Sequence, residues 1–129
     1  KSPSIFSRTP SGYYLNQCYD DKYVAVGLDF KSGSFTAVSY DTTNKYERKI
    51  FQFKPIKKTL SMNLDFRGKD LIILNCSELK GKNLINSIGA IYIENPDKSH
   101  NFTSKIKKDK EFDEIIIVKT STPTQLLIE

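Results

Sequence analysis

Residues 23–40 read YVAVGLDFKSGSFTAVSY, and they show how strongly β-forming residues dominate this chain. Two runs rich in Val, Phe and Tyr, residues 23–30 and 35–40, flank the polar segment Lys-Ser-Gly-Ser at residues 31–34. Short polar segments that contain glycine and separate two such runs are typical of β-hairpin turns. The sequence therefore predicts two antiparallel strands joined by a turn at residues 31–34.

The clearest strand pattern occupies residues 59–66, which read TLSMNLDF. Its large apolar side chains fall at every second position, at Leu60, Met62, Leu64 and Phe66. Alternate residues of a strand point to opposite faces of a sheet. This segment is therefore predicted to be a strand with one face in the core and the other in water.

Further β-like segments follow one another at short intervals along the chain. They are residues 46–53, 70–74, 91–93, 101–106 and 114–119, with 125–128 as a candidate edge strand. A short helix is predicted only at residues 78–87, where Gly81 weakens the prediction. About eight strands joined by short turns predict an all-β, single-domain antiparallel β-sandwich or small β-barrel. Residues 1–11 are predicted to form a flexible leader, and residues 12–129 the β domain.

Length and composition limit the classes of protein to which the chain can belong. At 129 residues, with 38% hydrophobic and 27% charged residues, it has the composition of one globular domain. No apolar run approaches the roughly 18 residues that a membrane-spanning helix needs. The net charge of +5 raises nucleic acid as a partner, but a solvated charged surface, with some lysines protecting the edges of sheets, is the preferred explanation.

The two cysteines, Cys18 and Cys76, each stand at the end of an apolar run. The ends of strands are positions where two segments can be joined without distorting a sheet. We therefore expect a disulfide between Cys18 and Cys76, with two reduced thiols as the alternative. Because cytosolic thiols are kept reduced, a disulfide predicts a periplasmic or secreted protein.

Few residues in the sequence are suited to catalysis. His100 is the sole histidine, its neighbours are those of an exposed turn, and a nucleophilic Cys18 would need it as a base. The acidic pairs at residues 20–21 and 113–114 are adjacent residues, which point apart in a strand and are usually solvated in a turn. No cluster of residues has the spacing of metal ligands. The sequence therefore predicts a protein that is not an enzyme and has no metal or cofactor.

A tyrosine-rich segment near the start of the chain is the predicted binding surface. Tyrosine offers a large contact area at a low cost in conformational entropy, and it is enriched in protein interfaces. Acidic neighbours would attract a basic partner. The predicted binding residues are Tyr13, Tyr14, Tyr19, Asp20, Asp21 and Tyr23. Packing of some of these tyrosines against the leader is the alternative.

The small size, the cysteines Cys18 and Cys76 and the strand pattern together resemble the periplasmic immunity proteins that protect bacteriocin producers, of the pesticin-immunity type, and the proteinaceous lysozyme inhibitors. The resemblance implies a non-catalytic exported protein that binds a toxin or cell-wall hydrolase and occludes its catalytic cleft. Residues 32–34 are the candidate inhibitory loop. Two alternatives remain, a single-stranded nucleic-acid-binding β-barrel and an extracellular adhesive or structural domain.

Overall fold

The computed structural model of the protein describes residues 11–40, 46–53, 56–92, 102–106 and 111–125. Strands predominate in these ranges, so the mostly β fold predicted from the sequence is confirmed. The helices of the described ranges are α1 (Ser11–Tyr19) and α2 (Leu60–Asn63), with 3-10 turns at Asp20–Lys22 and Cys76–Glu78. The strands are β1 (Val26–Tyr40), β2 (Tyr46–Gln52), β3 (Leu71–Asn75), β4 (Asn83–Asn86), β5 (Ile91–Tyr92), β6 (Thr103–Ile106) and β7 (Glu114–Ser121).

β1 organises the fold because it pairs with three other strands. Its first half, as far as Gly33, runs parallel to β7, and its second half, from Ser34, runs antiparallel to β2. Near its end it also pairs with β5 in parallel. The predicted hairpin turn at residues 31–34 is therefore wrong, because the chain passes through these residues without reversing.

Gly33 allows β1 to change partners without a turn. Its φ of 114° lies in the region that favours glycine. A Cβ at this position would lie 2.6 Å from the backbone nitrogen of Ser121 and would collide with the carbonyl oxygen of the same residue. The glycine that suggested a turn thus marks a close approach between the main chains of β1 and β7.

The described strands form one mixed sheet and one separate pair. The order in the larger sheet is β2-β1-β7-β3, with β5 beside the end of β1, and β4 pairs with β6. The β1–β7 and β1–β5 pairs are parallel, whereas β1–β2 and β3–β7 are antiparallel. The predicted antiparallel sandwich or barrel is wrong in this respect, since the sheet is mixed and is not a closed barrel. Local residue patterns do not reveal the direction in which distant strands pair.

The core lies against one face of β7. Ile115 and Ile117 on that strand have no exposed surface. The buried apolar cluster consists of Phe66, Cys76, Ile85, Ile106, Ile115 and Ile117. Because Ile85 lies on β4 and Ile106 on β6, the separate pair covers this face of the larger sheet. Each fully buried side chain of this size contributes about 1.5–3 kcal/mol to folding.

Residues 59–66 do not form the predicted strand. Leu60–Asn63 is a single helical turn, and the residues after it are irregular. Oγ1 of Thr59 donates a hydrogen bond of 2.9 Å to the carbonyl of Ile56, and bonds of this kind compete with strand pairing. The alternating pattern was misleading because its polar members Thr59 and Ser61 are fully buried rather than solvated.

The other predicted elements had mixed outcomes. β2, β3, β5, β6 and β7 lie in segments that the sequence predicted as strands. The helix predicted at residues 78–87 is wrong, because a 3-10 turn and β4 occupy that region. Residues 1–10 of the predicted leader and residues 126–128 of the candidate edge strand lie outside the described residues, so the domain boundaries stay a prediction. No helix in the described ranges is long and apolar enough to span a membrane.

Candidate functional site

An open cleft of about 810 Å³ lies between the α1 region and the segments that precede β1 and β7. Its volume is within the range of about 300–1,000 Å³ that is usual for small-molecule sites. We call it the acidic cleft, after the lining residues Tyr13, Asp20, Asp21, Tyr23, Glu111 and Asp113.

One wall of the acidic cleft is shaped by the turn that follows α1. Asp20 has a φ of 45°, in the left-handed region that Asp tolerates better than most residues. The backbone nitrogen of Tyr23 donates a 3.1 Å hydrogen bond to the carbonyl of Asp20. The hydroxyl of Tyr23 lies so close to Gly12 that a Cβ on Gly12 would be 3.1 Å from it. The turn is therefore packed against the first residues of α1.

The opposite wall is anchored by Asp113. Oδ2 of Asp113 accepts a 2.7 Å hydrogen bond from the backbone nitrogen of Ala25, and its own backbone nitrogen donates to the carbonyl of Ala25 at 2.8 Å. Its carbonyl accepts a 2.8 Å hydrogen bond from the nitrogen of Cys76. These three hydrogen bonds fix the position of Asp113 in the wall of the cleft.

The acidic cleft has a negative electrostatic character. Its carboxylates come from Asp20, Asp21, Glu111 and Asp113, and none of its described lining residues is basic. Clefts lined by one sign of charge concentrate ligands of the opposite sign. The arrangement therefore favours a ligand that carries a positive charge.

The structure brings together part of the binding surface predicted from the sequence. The residues of that prediction that line the acidic cleft are Tyr13, Asp20, Asp21 and Tyr23. Tyr14 and Tyr19, both 57% exposed on the α1 segment, do not line it. Sequence reasoning missed Glu111 and set Asp113 aside as one of an adjacent acidic pair. Both residues reach the cleft from the far end of the chain through the β1–β7 pairing. That the six predicted residues bind a partner stays a prediction.

A second polar group is buried between β1, β4 and α2, and we call it the buried polar cluster. Its members are Asp29, Thr59, Ser61 and Asn86, each at most 6% exposed. Nδ2 of Asn86 lies 2.8 Å from Oδ1 of Asp29, 3.0 Å from the carbonyl oxygen of Phe30 and 3.1 Å from Oγ of Ser61. These contacts join the larger sheet to the separate pair.

The charge state of Asp29 is set by this environment. Burial raises the pKa of Asp29, while hydrogen bonds from Asn86 and Phe30 lower it in part. Perturbed carboxyl groups are common in active sites, but Asp29 is 5% exposed and lines neither cavity described here. The buried polar cluster therefore acts as a structural cross-link between the larger sheet and the separate pair.

A smaller concavity of about 370 Å³ lies on another side of the molecule and has a basic lining. Its half-buried cation, Lys31, donates a 3.0 Å hydrogen bond to the carbonyl of Leu64 and lies 5.5 Å from the ring centre of Phe66. Its exposed Arg67 lies 3.9 Å from the carboxylate of Asp65. Lys31 and Arg67 thus interact with the chain itself, and the third basic residue, Lys119, shares the lining with the acidic Asp65. The acidic cleft, which is larger and has side chains of one charge sign, is the stronger candidate site.

The predicted disulfide is wrong, since Cys18 and Cys76 are not bridged. Cys18 is exposed on α1, whereas Cys76 is 1% exposed in the core. The apolar run before Cys18 is helical rather than a strand, so it does not bring the two residues together at a sheet edge. His100 lies outside the described residues. Among the residues that the structure describes, no group of three or more His, Cys, Asp or Glu is arranged to hold a metal ion.

Comparisons with known proteins give the chain a family. The family model for erythromycin esterase matches residues 4–121. The structure of a succinoglycan biosynthesis protein is similar over 88% of this chain, with a TM-score of 0.62 and 20% identity. A protein from Bacillus cereus is similar over 91%, with a TM-score of 0.64 and 17% identity. This chain covers 28% and 29% of those two chains, and no curated protein matches it.

These findings correct several expectations drawn from the sequence. The resemblance to immunity proteins and lysozyme inhibitors is wrong, and so is the non-catalytic inhibitor, because the matching family is named for an esterase. The prediction that the protein is not an enzyme is wrong for the same reason. A toxin or hydrolase as the partner has no support, and the alternatives of a nucleic-acid-binding barrel or an adhesive domain are not favoured. The periplasmic or secreted location stays a prediction. This chain belongs to the erythromycin esterase family.

Proposed function

We propose that this chain is part of a hydrolase that cleaves a carboxylic ester, and that it supplies a surface that binds the substrate. The observation that carries the proposal is the family match over residues 4–121. Because the chain covers less than a third of the two similar solved structures, the proposal concerns the whole natural protein rather than these residues alone.

Hydrolysis of an ester consumes one water molecule. The water oxygen adds to the carbonyl carbon, the bond between that carbon and the alcohol oxygen breaks, and the products are a carboxylic acid and an alcohol. A group that accepts a proton from the water accelerates the first step. Carboxylates can act in this way, but the anchored position of Asp113 and the openness of the cleft suit binding better than proton transfer.

The proposed role of the acidic cleft is to hold a cationic part of the ester substrate. Carboxylates at Asp20, Asp21, Glu111 and Asp113 would attract a protonated or quaternary amine. Tyr23 lines the same cleft, and aromatic faces also attract cations. Holding one end of the substrate in this way would orient the ester for attack by groups elsewhere in the protein.

The proposal is tested by incubating the natural protein with a panel of esters that includes erythromycin. Hydrolysis of the ester bond adds one water molecule. An open-chain ester is split into a separate acid and alcohol, whereas a cyclic ester opens into one molecule that carries both groups. Mass spectrometry detects both outcomes. We expect turnover of at least one ester that carries an amine. If no member of the panel is hydrolysed above the rate of the heat-inactivated protein, the proposal is wrong.

A further inference from the structure

One face of the larger sheet is apolar and open to solvent. Along β1, β7 and β3, residues alternate between the core and the opposite side. We call that opposite side the outer face, and its central residues are Val26, Leu28, Leu71, Ile73, Ile116 and Val118. All six are aliphatic, and the positions that complete their rows on this face are Phe30 beside Val118 and the polar pair Glu114 and Asn75 at the end next to Val26.

The exposure of the outer face is unusually high for aliphatic side chains. Leu28 is 74% exposed, Ile73 is 56% exposed, and Val26 and Leu71 are 44% and 42% exposed. Leu28, Ile116 and Ile73 form one row across the three strands, because Ile116 pairs with both of the others. A contiguous apolar surface of this kind marks a site of interaction, whereas single exposed aliphatic residues do not.

The strand directions point to the same conclusion. β1 and β7 are parallel, and parallel strands occur almost entirely in sheets that are covered on both faces. Here the inner face is covered by the core that β4 and β6 complete. The outer face is the one that lacks a second layer among the described residues.

We propose that the outer face is covered, in the natural protein, by the apolar side of an α-helix from further polypeptide of the family fold. The two similar solved structures superpose on 88% and 91% of this chain, yet this chain covers only 28% and 29% of them. Proteins of this fold thus have enough additional polypeptide to supply a layer. The inference does not rest on the proposed ester hydrolysis.

The dimensions of the outer face suit a helix. Neighbouring strands lie about 4.8 Å apart, so the three strands span about 10 Å. An α-helix with its side chains is about 10–12 Å in diameter. One helix laid along β7 would therefore contact the rows of β1 and β3 on either side. Helices on the faces of sheets that contain parallel strands are also the usual arrangement in layered folds.

The inference is tested by measuring how fast single cysteines on this face react with a maleimide in the natural protein. Cys18 is first replaced by serine, which removes the exposed native thiol. Leu28→Cys and Ile73→Cys then report on the outer face, and Lys69→Cys, in an exposed turn, is the matched control. The rate of the Cys18→Ser parent is subtracted to account for buried Cys76.

A covered face predicts that the Leu28→Cys and Ile73→Cys variants react at least about tenfold more slowly than the Lys69→Cys variant, at every protein concentration. Equal rates for the three variants would overturn the proposal. Protection that disappears on dilution would show that a second copy of the protein covers the face, and would also overturn it. Should one substitution prevent folding, the other outer-face variant gives the same comparison.

Discussion

Removal of the Asn86 side chain should destabilise the protein more than its size suggests. Its amide nitrogen lies within hydrogen-bonding distance of Oδ1 of Asp29, the carbonyl oxygen of Phe30 and Oγ of Ser61. An amide group has two hydrogens, so at most two of these three contacts are full hydrogen bonds at one time. Asn86→Ala would remove both.

The magnitude follows from the partners. A hydrogen bond to a charged group contributes about 1.5–3 kcal/mol and a neutral one about 0.5–1.5 kcal/mol, so the two together contribute about 3 kcal/mol. Oδ1 of Asn86 is buried without a hydrogen-bond partner, and its removal should recover about 1 kcal/mol. The carboxyl of Asp29 keeps its 2.7 Å bond from the nitrogen of Phe30. We therefore expect a loss of about 2–3 kcal/mol.

Urea unfolding at neutral pH is the assay. At an m-value of about 1.5 kcal/mol per molar, the predicted loss lowers the midpoint by about 1.3–2 M. The matched control is Asn83→Ala on the same strand, because Asn83 makes an exposed 3.3 Å bond to the carbonyl of Lys80 and should cost less than about 0.5 kcal/mol. If Asn86→Ala shifts the midpoint no more than Asn83→Ala, the buried polar cluster does not join the sheets as described.

Three other perturbations follow from the same structure. Gly33→Ala should lower the free energy of unfolding by at least about 3 kcal/mol, because the added Cβ would collide with β7. The control Gly68→Ala, at a φ of 79° with open space around it, should lower it by about 1–2 kcal/mol, and equal losses in urea unfolding would contradict the close approach at Gly33. Because the pKa of Asp29 is raised, the folded protein binds the carboxyl proton more tightly than the unfolded chain does. The resulting stabilisation is complete below the unfolded-state pKa of about 4 and is lost as pH rises through the folded-state pKa. Asp29→Asn should therefore remove a fall in stability that begins as pH rises above about 4, and an unchanged slope would assign that fall to other groups. A thiol reagent should modify Cys18 in the native protein and Cys76 only after unfolding. If no thiol reacts even in urea, the prediction of two free cysteines is wrong.

The sequence predicted the β class and the positions of most strands because local patterns determine them. The run at residues 114–119 and the run at residues 70–74 are short, apolar and rich in β-branched residues, and both are strands. Strand partners were beyond such reasoning. The parallel pairing of β1 with β7 joins residues that are far apart in sequence, and the pattern at Gly33 is the same for a turn as for a change of partner.

The errors at residues 59–66 and at the cysteines have a common physical cause. In both places the prediction assumed that polar residues face water and that apolar runs are strands. Ser61 is instead buried, and its hydroxyl accepts a hydrogen bond from Asn86 on β4. The run before Cys18 is helical. Tertiary contacts thus overrode the local pattern, as they often do for short segments.

The candidate site was predictable only in part. The tyrosines and acids of residues 13–23 could be found because they are close together in sequence. Glu111 and Asp113 could not, since only the pairing of Ala25 with Asp113 brings them to the acidic cleft. Sequence reasoning also recognised no catalytic motif that would have indicated the esterase family.

The most direct test of the account compares two esters of one acid in the natural protein, one with a trimethylammonium group on the alcohol and one with a neutral tert-butyl group in its place. Carboxylates near the cation each contribute on the order of 1 kcal/mol, so kcat/KM should favour the cationic ester by at least about tenfold. The double variant Asp21→Asn, Asp113→Asn keeps an acceptor for Ala25 and should lose this preference, whereas Asp65→Asn, exposed outside the acidic cleft, should retain it. Equal kcat/KM values for the two esters in the unmodified protein, or a preference that survives the double variant, would contradict the role given to the cleft.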